Sequence, residues 1–238
     1  MPYQVQPASL QDAEAIGACV DKAFANSAFH QLMFPKEKAH LTPREHFREW
    51  KTRRQRQRMD IPNAMYFKTI EAKRPNVIVG YAGWFKPGHF SMKATTVSEE
   101  QQQQQPPADS VLHDVADAPP IGGAKADERP ACLNGEALDE FSRKTGKQRD
   151  KIWSANSDFW YLEALDVDPV HQHKGIAGRL MQCGLEHADR DGLPIYLEAT
   201  PDGSSMYRRY GFEPCGEFQL ANGQYSVVLM IRWPGGVR

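Results

Sequence analysis

The chain has 238 residues, 40% of them apolar, and its 29 lysines and arginines against 30 acidic residues leave a net charge of −1. That length is ample for a sizeable core, and the balanced charge excludes any bulk electrostatic attraction to nucleic acid or to a membrane surface. The longest apolar run, residues 77–85, is too short to span a bilayer. The N-terminal stretch lacks the basic and apolar regions of a secretory signal. The four cysteines (Cys19, Cys132, Cys183 and Cys215) show neither metal nor disulfide spacing, so reduced thiols in the cytoplasm or nucleus and no bound metal are the expectation.

Residues 3–7 alternate polar and apolar side chains, as an edge strand does. Ser9 is placed to cap a helix carrying Leu10, Ala13, Ile16, Val20 and Phe24 at spacings of three and four. Residues 26–40 hold Phe29, His30, Phe34 and Pro35 with few periodic positions, and read as a connection. Pro43 opens a second helix that runs into residues 51–58, where five of eight side chains are cationic. That run reads first as a solvated helix face, against a localisation signal or a patch for an anionic partner. Residues 64–72 and 77–85 form a strand pair around Lys73-Arg74-Pro75-Asn76, with Gly80 and Gly83 marking a bulge or a close approach.

The composition then changes. Gln101 to Gln105 is a homopolymeric tract followed by Pro106, Pro107, Pro119 and Pro120. Such a stretch has too little apolar surface to offset its ordering entropy, so residues 87–132 are expected to be a disordered insertion within one domain spanning 1–238. A helix follows from Asn134 or Gly135 to about Asp150, with Leu138, Phe141 and Ser142 inward, and residues 158–167 form a fourth strand. Asn222-Gly223 joins two closing strands, residues 212–220 and 225–233.

The stretch Leu162 to Gly178, LEALDVDPVHQHKGIAG, organises the rest. A buried strand ends at Asp168-Pro169 and a loop leads into a helix whose apolar face carries Ile176, Ala177, Leu180, Met181, Gly184 and Ala188, while Arg179 and Asp189 point away. Gly192 and Pro194 stop that helix. A strand feeding a glycine-bearing turn into a helix N-terminus is an anion site, because the first-turn amides lack intrahelical partners and the macrodipole is positive there.

Three motifs carry a family resemblance. Gln172-x-x-Gly175-x-Ala177 resembles the pyrophosphate loop of the GNAT superfamily of acyl-CoA-dependent N-acetyltransferases. Leu165-Asp166-Val167-Asp168-Pro169 resembles the strand on which that family holds the pantetheine arm. Tyr207-Arg208-Arg209-Tyr210-Gly211-Phe212 resembles its Y-x-x-x-G-F signature. The LEA-T-P stretch at residues 197–201 is similar to fungal-type, puromycin-acetyltransferase-like members. The resemblance implies an α/β (α+β) GNAT fold, in which helices flank a central, mixed, mostly antiparallel sheet of six to seven strands and strands four and five splay apart. It also implies acetyl-CoA as cosubstrate, and an acceptor wall formed by residues 26–40 unless their aromatics merely cap the core.

On that resemblance the amides of Gln172, His173, Lys174, Gly175, Ile176, Ala177 and Gly178 would hold the pyrophosphate. Lys174, His171 and His173 would add positive potential, the histidines otherwise being exposed loop residues. Leu165, Asp166 and Val167 would hold the pantetheine amides, and the Leu165 N–H would face the oxyanion. Many members carry an Asn after strand five; Thr200 or Ser204 would replace it here. Tyr207 is the candidate general acid or hydrogen-bond donor to the thiolate, against a packing role that suits Tyr210 better. An amine is almost wholly protonated at neutral pH and needs a base. Glu163 and Glu198, carboxylates inside apolar strands, are the candidates, with Glu163 ranked first. Period-two alternation puts Glu163 on the face of Leu165 unless a bulge reverses the parity. The expected activity is direct acetyl transfer to an amine, a small molecule being favoured over a protein or peptide amine, with no nucleic-acid or membrane partner. The rival is a CoA-binding or glutamine-tract interaction protein without catalysis.

Overall fold

In the computed structural model, residues 2–89, 129–153 and 158–235 are described. Their strands are β1 (Tyr3–Pro7), β2 (Ala64–Glu71), β3 (Arg74–Phe85), β4 (Trp160–Val167), β5 (Ile195–Ala199), β6 (Glu213–Leu220) and β7 (Tyr225–Arg232). They pair into one sheet in the order β1-β2-β3-β4-β5-β7-β6. Every neighbouring pair is antiparallel except β4 and β5, which run parallel. The expected mixed, mostly antiparallel sheet is present, with β1 at one edge.

The helices are α1 (Ala13–Phe24), α2 (Ala28–Met33), α3 (Arg44–Met59), α4 (Gly135–Ile152), α5 (Ile176–Asp191) and α6 (Pro201–Arg208). Strand alternation divides them between the two faces. Val79, Trp84, Leu162 and Leu197 pack under Leu180, Met181 and Ala188 of α5. Ile78 and Tyr81 go the other way, onto Ile16 and Cys19 of α1. Phe85, Tyr161 and Tyr196 join Leu138 and Phe141 of α4 and Trp50 of α3.

Two local expectations change, and the two ends of the expected insertion fall within the described residues. A 3-10 turn at Leu10–Asp12 precedes α1, and the Asp12 carboxylate accepts the Ser9 N–H at 2.8 Å. The connection over residues 26–40 contains the two-turn helix α2, started by Ser27, whose hydroxyl accepts the His30 N–H at 3.0 Å. Six residues show too little periodicity to reveal a helix, but the capping serine was a readable signal. The expected insertion is packed at both described ends: His89 stacks on Phe85 at 4.1 Å, and the buried Cys132 donates its N–H to Thr42 at 3.0 Å. The glutamine tract itself lies outside the described residues.

The glycine of α5 that faces the sheet is a contact point. A Cβ on Gly184 would sit 2.2 Å from the fully buried Trp84 ring, so α5 approaches β3 as closely as it does only because no side chain intervenes. Gly184→Val is expected to cost about 3 kcal/mol by overpacking, which for a domain of this size lowers the unfolding midpoint by roughly 5–10 °C in a thermal melt.

Candidate active-site cleft

The loop after β4 is built before any ligand arrives. Asp168 accepts the Val170 N–H at 3.1 Å and the Lys22 ammonium at 2.9 Å. Burial pushes the Asp168 carboxyl up, but Lys22 and the Val170 N–H outweigh it and leave it below its ordinary value. Gln172 donates its side-chain amide to the Val167 carbonyl at 3.2 Å, and Lys174 donates to the Val170 carbonyl at 2.8 Å. Both side chains therefore tie the loop to itself although the two residues are exposed. His171 is buried and hydrogen-bonded through Nδ1 to the Tyr3 hydroxyl at 3.0 Å, which removes it from the exposed-loop reading. His173 is exposed, with a φ of 59°.

Gly175 caps α5 with φ 74° and has nothing within 4 Å of where a Cβ would lie. A left-handed residue at that point turns the chain sharply into the helix, and the first-turn residues Ile176, Ala177 and Gly178, whose amides have no intrahelical partner, line the cleft. At Gly178 a Cβ would meet the Tyr210 hydroxyl at 2.5 Å, so this glycine makes room for Tyr210. On the same helix, Arg179 and Asp189 have partners that an outward-facing reading does not supply. Arg179 donates to the Tyr3 carbonyl at 3.1 Å, and Asp189 holds Arg232 through both carboxylate oxygens.

Strands β4 and β5 pair only at Trp160–Ile195 and Tyr161–Tyr196. Beyond that they separate, and Leu165, Asp166 and Val167 line the gap with one strand edge unclaimed by β5. The parity of β4 is broken inside the same stretch. Gly83 pairs with Ala164 and Trp84 with Leu162, so Glu163 is the extra residue of a bulge. Ala164 packs towards α1 while Leu165 packs towards α5. Glu163 turns to α3, where Arg58 of that helix and Tyr66 of β2 bind its two oxygens. It therefore lies across the sheet from Leu165, contrary to simple alternation. Gly83 makes this possible, since a Cβ there would fall 2.6 Å from the Tyr66 ring and 3.0 Å from a Glu163 oxygen.

Glu198 on β5 is in a different state. Tyr161 donates to it at 2.6 Å, and it lines the cleft. Burial pushes its carboxyl above the ordinary range despite the opposing effects of Arg149 and the neighbouring tyrosines. Asp166 is pushed up to about 6, again by burial. Tyr207 lies on α6, edge-on to Phe212 at 5.8 Å, and burial and Asp166 raise its pKa well above a free phenol. Thr200 caps α6 by accepting the Gly203 N–H at 3.0 Å, and the Ser204 hydroxyl donates to the Pro201 carbonyl at 2.8 Å. Both hydroxyls are thus engaged within their own helix.

Glu163, Leu165 to Val167, Gln172, His173, Gly175 to Gly178, Glu198, Thr200 and Tyr207 line one cleft of about 1620 Å³ that also reaches Phe29, His30 and Phe34, whereas Lys174 and Ser204 do not line it. Burial lowers the His30 pKa below that of a free imidazole. The cationic run of α3 is only partly solvated. Arg53 and Arg56 are exposed, but Arg54 and Arg58 reach the cleft wall. They are four residues apart, a spacing that was visible in the sequence without saying which face was inward.

Residues 149–230 match a family model described as an acetyltransferase (GNAT) domain. Over 110 residues the chain is 28% identical to a Schizosaccharomyces pombe protein named as an uncharacterized N-acetyltransferase. That match covers 43% of this chain and 44% of the relative, so the chain spans less than half of that relative's length. Among solved structures, one described as histone acetyltransferase HPA2 and related acetyltransferase from Corynebacterium glutamicum aligns with a TM-score of 0.58 at 17% identity, covering 100% of this chain and 99% of that one. The C-terminal condensation domain of Ebony, in complex with beta-alanyl-dopamine, aligns with a TM-score of 0.59 at 9% identity, covering 97% and 98%. At these identities the structural likeness is one of fold.

Proposed function

We propose, from the premise that the chain carries a GNAT acetyltransferase domain, that it transfers acetyl from acetyl-CoA directly to an amine. The observation that supports this best is the continuity of the cleft. It runs from the open N-terminus of α5, through the gap between β4 and β5, to Glu198 and Tyr207.

In this reading the amides of Ile176, Ala177 and Gly178 hold the pyrophosphate, and the free edge of β4 from Leu165 to Val167 holds the pantetheine arm and the oxyanion. Glu198 takes a proton from the acceptor ammonium, a task for which a raised carboxyl pKa is suited because it lies nearer that of the amine. The amine nitrogen then bonds to the acetyl carbon, the carbon–sulfur bond breaks with its electron pair leaving on sulfur, and the second amine proton passes from the nitrogen through solvent to the departing thiolate. We place the base on Glu198 in preference to Glu163, whose oxygens are already bound by Arg58 and Tyr66.

Tyr207 stabilises the thiolate as a hydrogen-bond donor. A free phenol is about 1.5 pKa units above a thiol, so proton transfer to sulfur is already uphill by about 2 kcal/mol, and the raised pKa of Tyr207 makes it more so. No cysteine lines the cleft among the described residues, and burial pushes Cys19 and Cys215 up to about 12 and about 11. An acyl-cysteine intermediate has no activated thiol there, which favours direct transfer.

The test is release of free thiol from acetyl-CoA against a panel of amines. Turnover on at least one amine is expected. Tyr207→Phe should then lower kcat by on the order of a hundredfold with little change in CoA affinity. CoA binding without turnover on any amine would leave a non-catalytic CoA-binding protein.

A further inference from the structure

Main-chain pairing between β4 and β5 ends at Tyr161 and Tyr196. The Tyr161 ring sits at that point between Phe85 of β3 and Tyr196 of β5, with ring centroids 6.1 Å away on either side. All three rings are buried. From there the Tyr161 hydroxyl reaches Glu198, which follows Tyr196 on the same strand, and donates to its Oε2 at 2.6 Å. A side-chain hydrogen bond thus joins the two strands just where their backbones part. The other carboxylate oxygen, Oε1, is buried and has no hydrogen-bond partner among the described residues, although Glu198 lines the cleft. A buried oxygen in that state is costly until a ligand brings a donor to it.

We infer that Tyr161 is a positioning residue for the acyl transfer: by holding Oε2 it fixes the Glu198 carboxylate at the narrow end of the β4–β5 gap and leaves Oε1 to take the proton from the acceptor ammonium. This rests on the reading of Glu198 as the base. A carboxylate at the end of a flexible side chain needs such a tether, because a displacement of about 1 Å in a reacting group costs on the order of a hundredfold in rate. The groups facing this carboxyl come from four elements. Burial pushes it up, and Arg149 of α4, Tyr161 of β4 and Tyr196 of β5 oppose burial, while Cys215 of β6 lies within its electrostatic reach. Its partner on β7, Leu229, is apolar. The Tyr196 hydroxyl is buried but makes no hydrogen bond, so it acts on the carboxylate without gripping it.

The experiment compares the wild type, Tyr161→Phe, Tyr196→Phe, Glu198→Gln and the Tyr161→Phe/Glu198→Gln double variant by thiol release across pH, on an amine that the wild type turns over. Tyr161→Phe keeps the row of rings and loses only the donor. It is expected to lower kcat by roughly ten- to a hundredfold and to leave CoA affinity, read by calorimetric titration, unchanged. The acidic limb of its rate should move upward by about one pH unit, since a carboxylate that loses a donor keeps its proton to higher pH. On top of Glu198→Gln the same substitution should change kcat by less than about twofold, because its effect runs through the carboxylate that is already gone. Tyr196→Phe should do less on both kcat and the limb. A wild-type kcat and limb in Tyr161→Phe, an undiminished loss in the double variant, an equal effect of Tyr196→Phe, or a loss of CoA affinity alongside kcat each overturn the inference while the base reading stands. A wild-type kcat in Glu198→Gln, or no thiol release with any amine, removes that reading and this inference with it.

Discussion

Gly175→Glu is expected to weaken CoA binding by more than about a hundredfold, because it puts a carboxylate where the first-turn amides of α5 would receive the pyrophosphate, in competition for the same positive end. Gly175 has φ 74°, which costs a side-chain-bearing residue about 1–2 kcal/mol. Its Cβ would nevertheless meet nothing within 4 Å, and an acid at a helix N-terminus returns about 0.3–1 kcal/mol. The variant should therefore stay folded, with a melt close to that of the wild type. Gly175→Ala separates the two effects, since it bears the backbone cost without the charge and should keep CoA within about tenfold of wild type. Calorimetric titration reads all three proteins. Wild-type affinity in Gly175→Glu would show that the loop is not where the anion sits.

Glu198→Gln is expected to lower kcat by about a hundred- to ten-thousandfold, the range for removing a positioned general base. It should do so without moving CoA affinity, because Glu198 is on β5 and away from the α5 loop. The pH profile carries a second signature. Since burial raises the Glu198 pKa, the acidic limb of the wild-type rate should lie above the ordinary carboxylate range, and the variant should lose that limb. Stability moves the opposite way. A carboxyl whose folded pKa exceeds its unfolded one favours the folded state fully below the unfolded value, and that contribution is lost as pH rises through the folded value. At neutral pH the wild type therefore bears the burial of a charge that glutamine does not, so Glu198→Gln should melt higher there. The gain should vanish on acidifying below the ordinary carboxylate range. A variant with wild-type kcat would return the base role to Glu163 or to water.

The turn into α5 was legible because it is carried by backbone. Gly175, Ala177 and Gly178 announce a turn into a helix with little side chain in the way, and the observed φ and open space at Gly175 agree with that. The hairpin at Asn222-Gly223 was legible for the same reason, since both residues adopt positive φ there. The base was not. Glu163 and Glu198 are both carboxylates inside apolar strands, and one-dimensional spacing treats them alike. A single extra residue opposite Gly83 and Trp84 sends Glu163 to Arg58, 105 residues earlier in the chain, while Glu198 keeps a buried carboxyl bonded to Tyr161.

The sequence by itself determined the order of the strands and of the long helices, the turn into α5, and the glycines at which chain segments approach, because local backbone geometry and side-chain period act within a few residues. Only the tertiary structure decided which carboxylate is neutralised, which histidine is buried and which arginines of the basic run turn to the cleft wall. Those outcomes depend on what packs across the sheet and on how much water is removed from each charge, and neither quantity is a property of neighbouring residues in the chain.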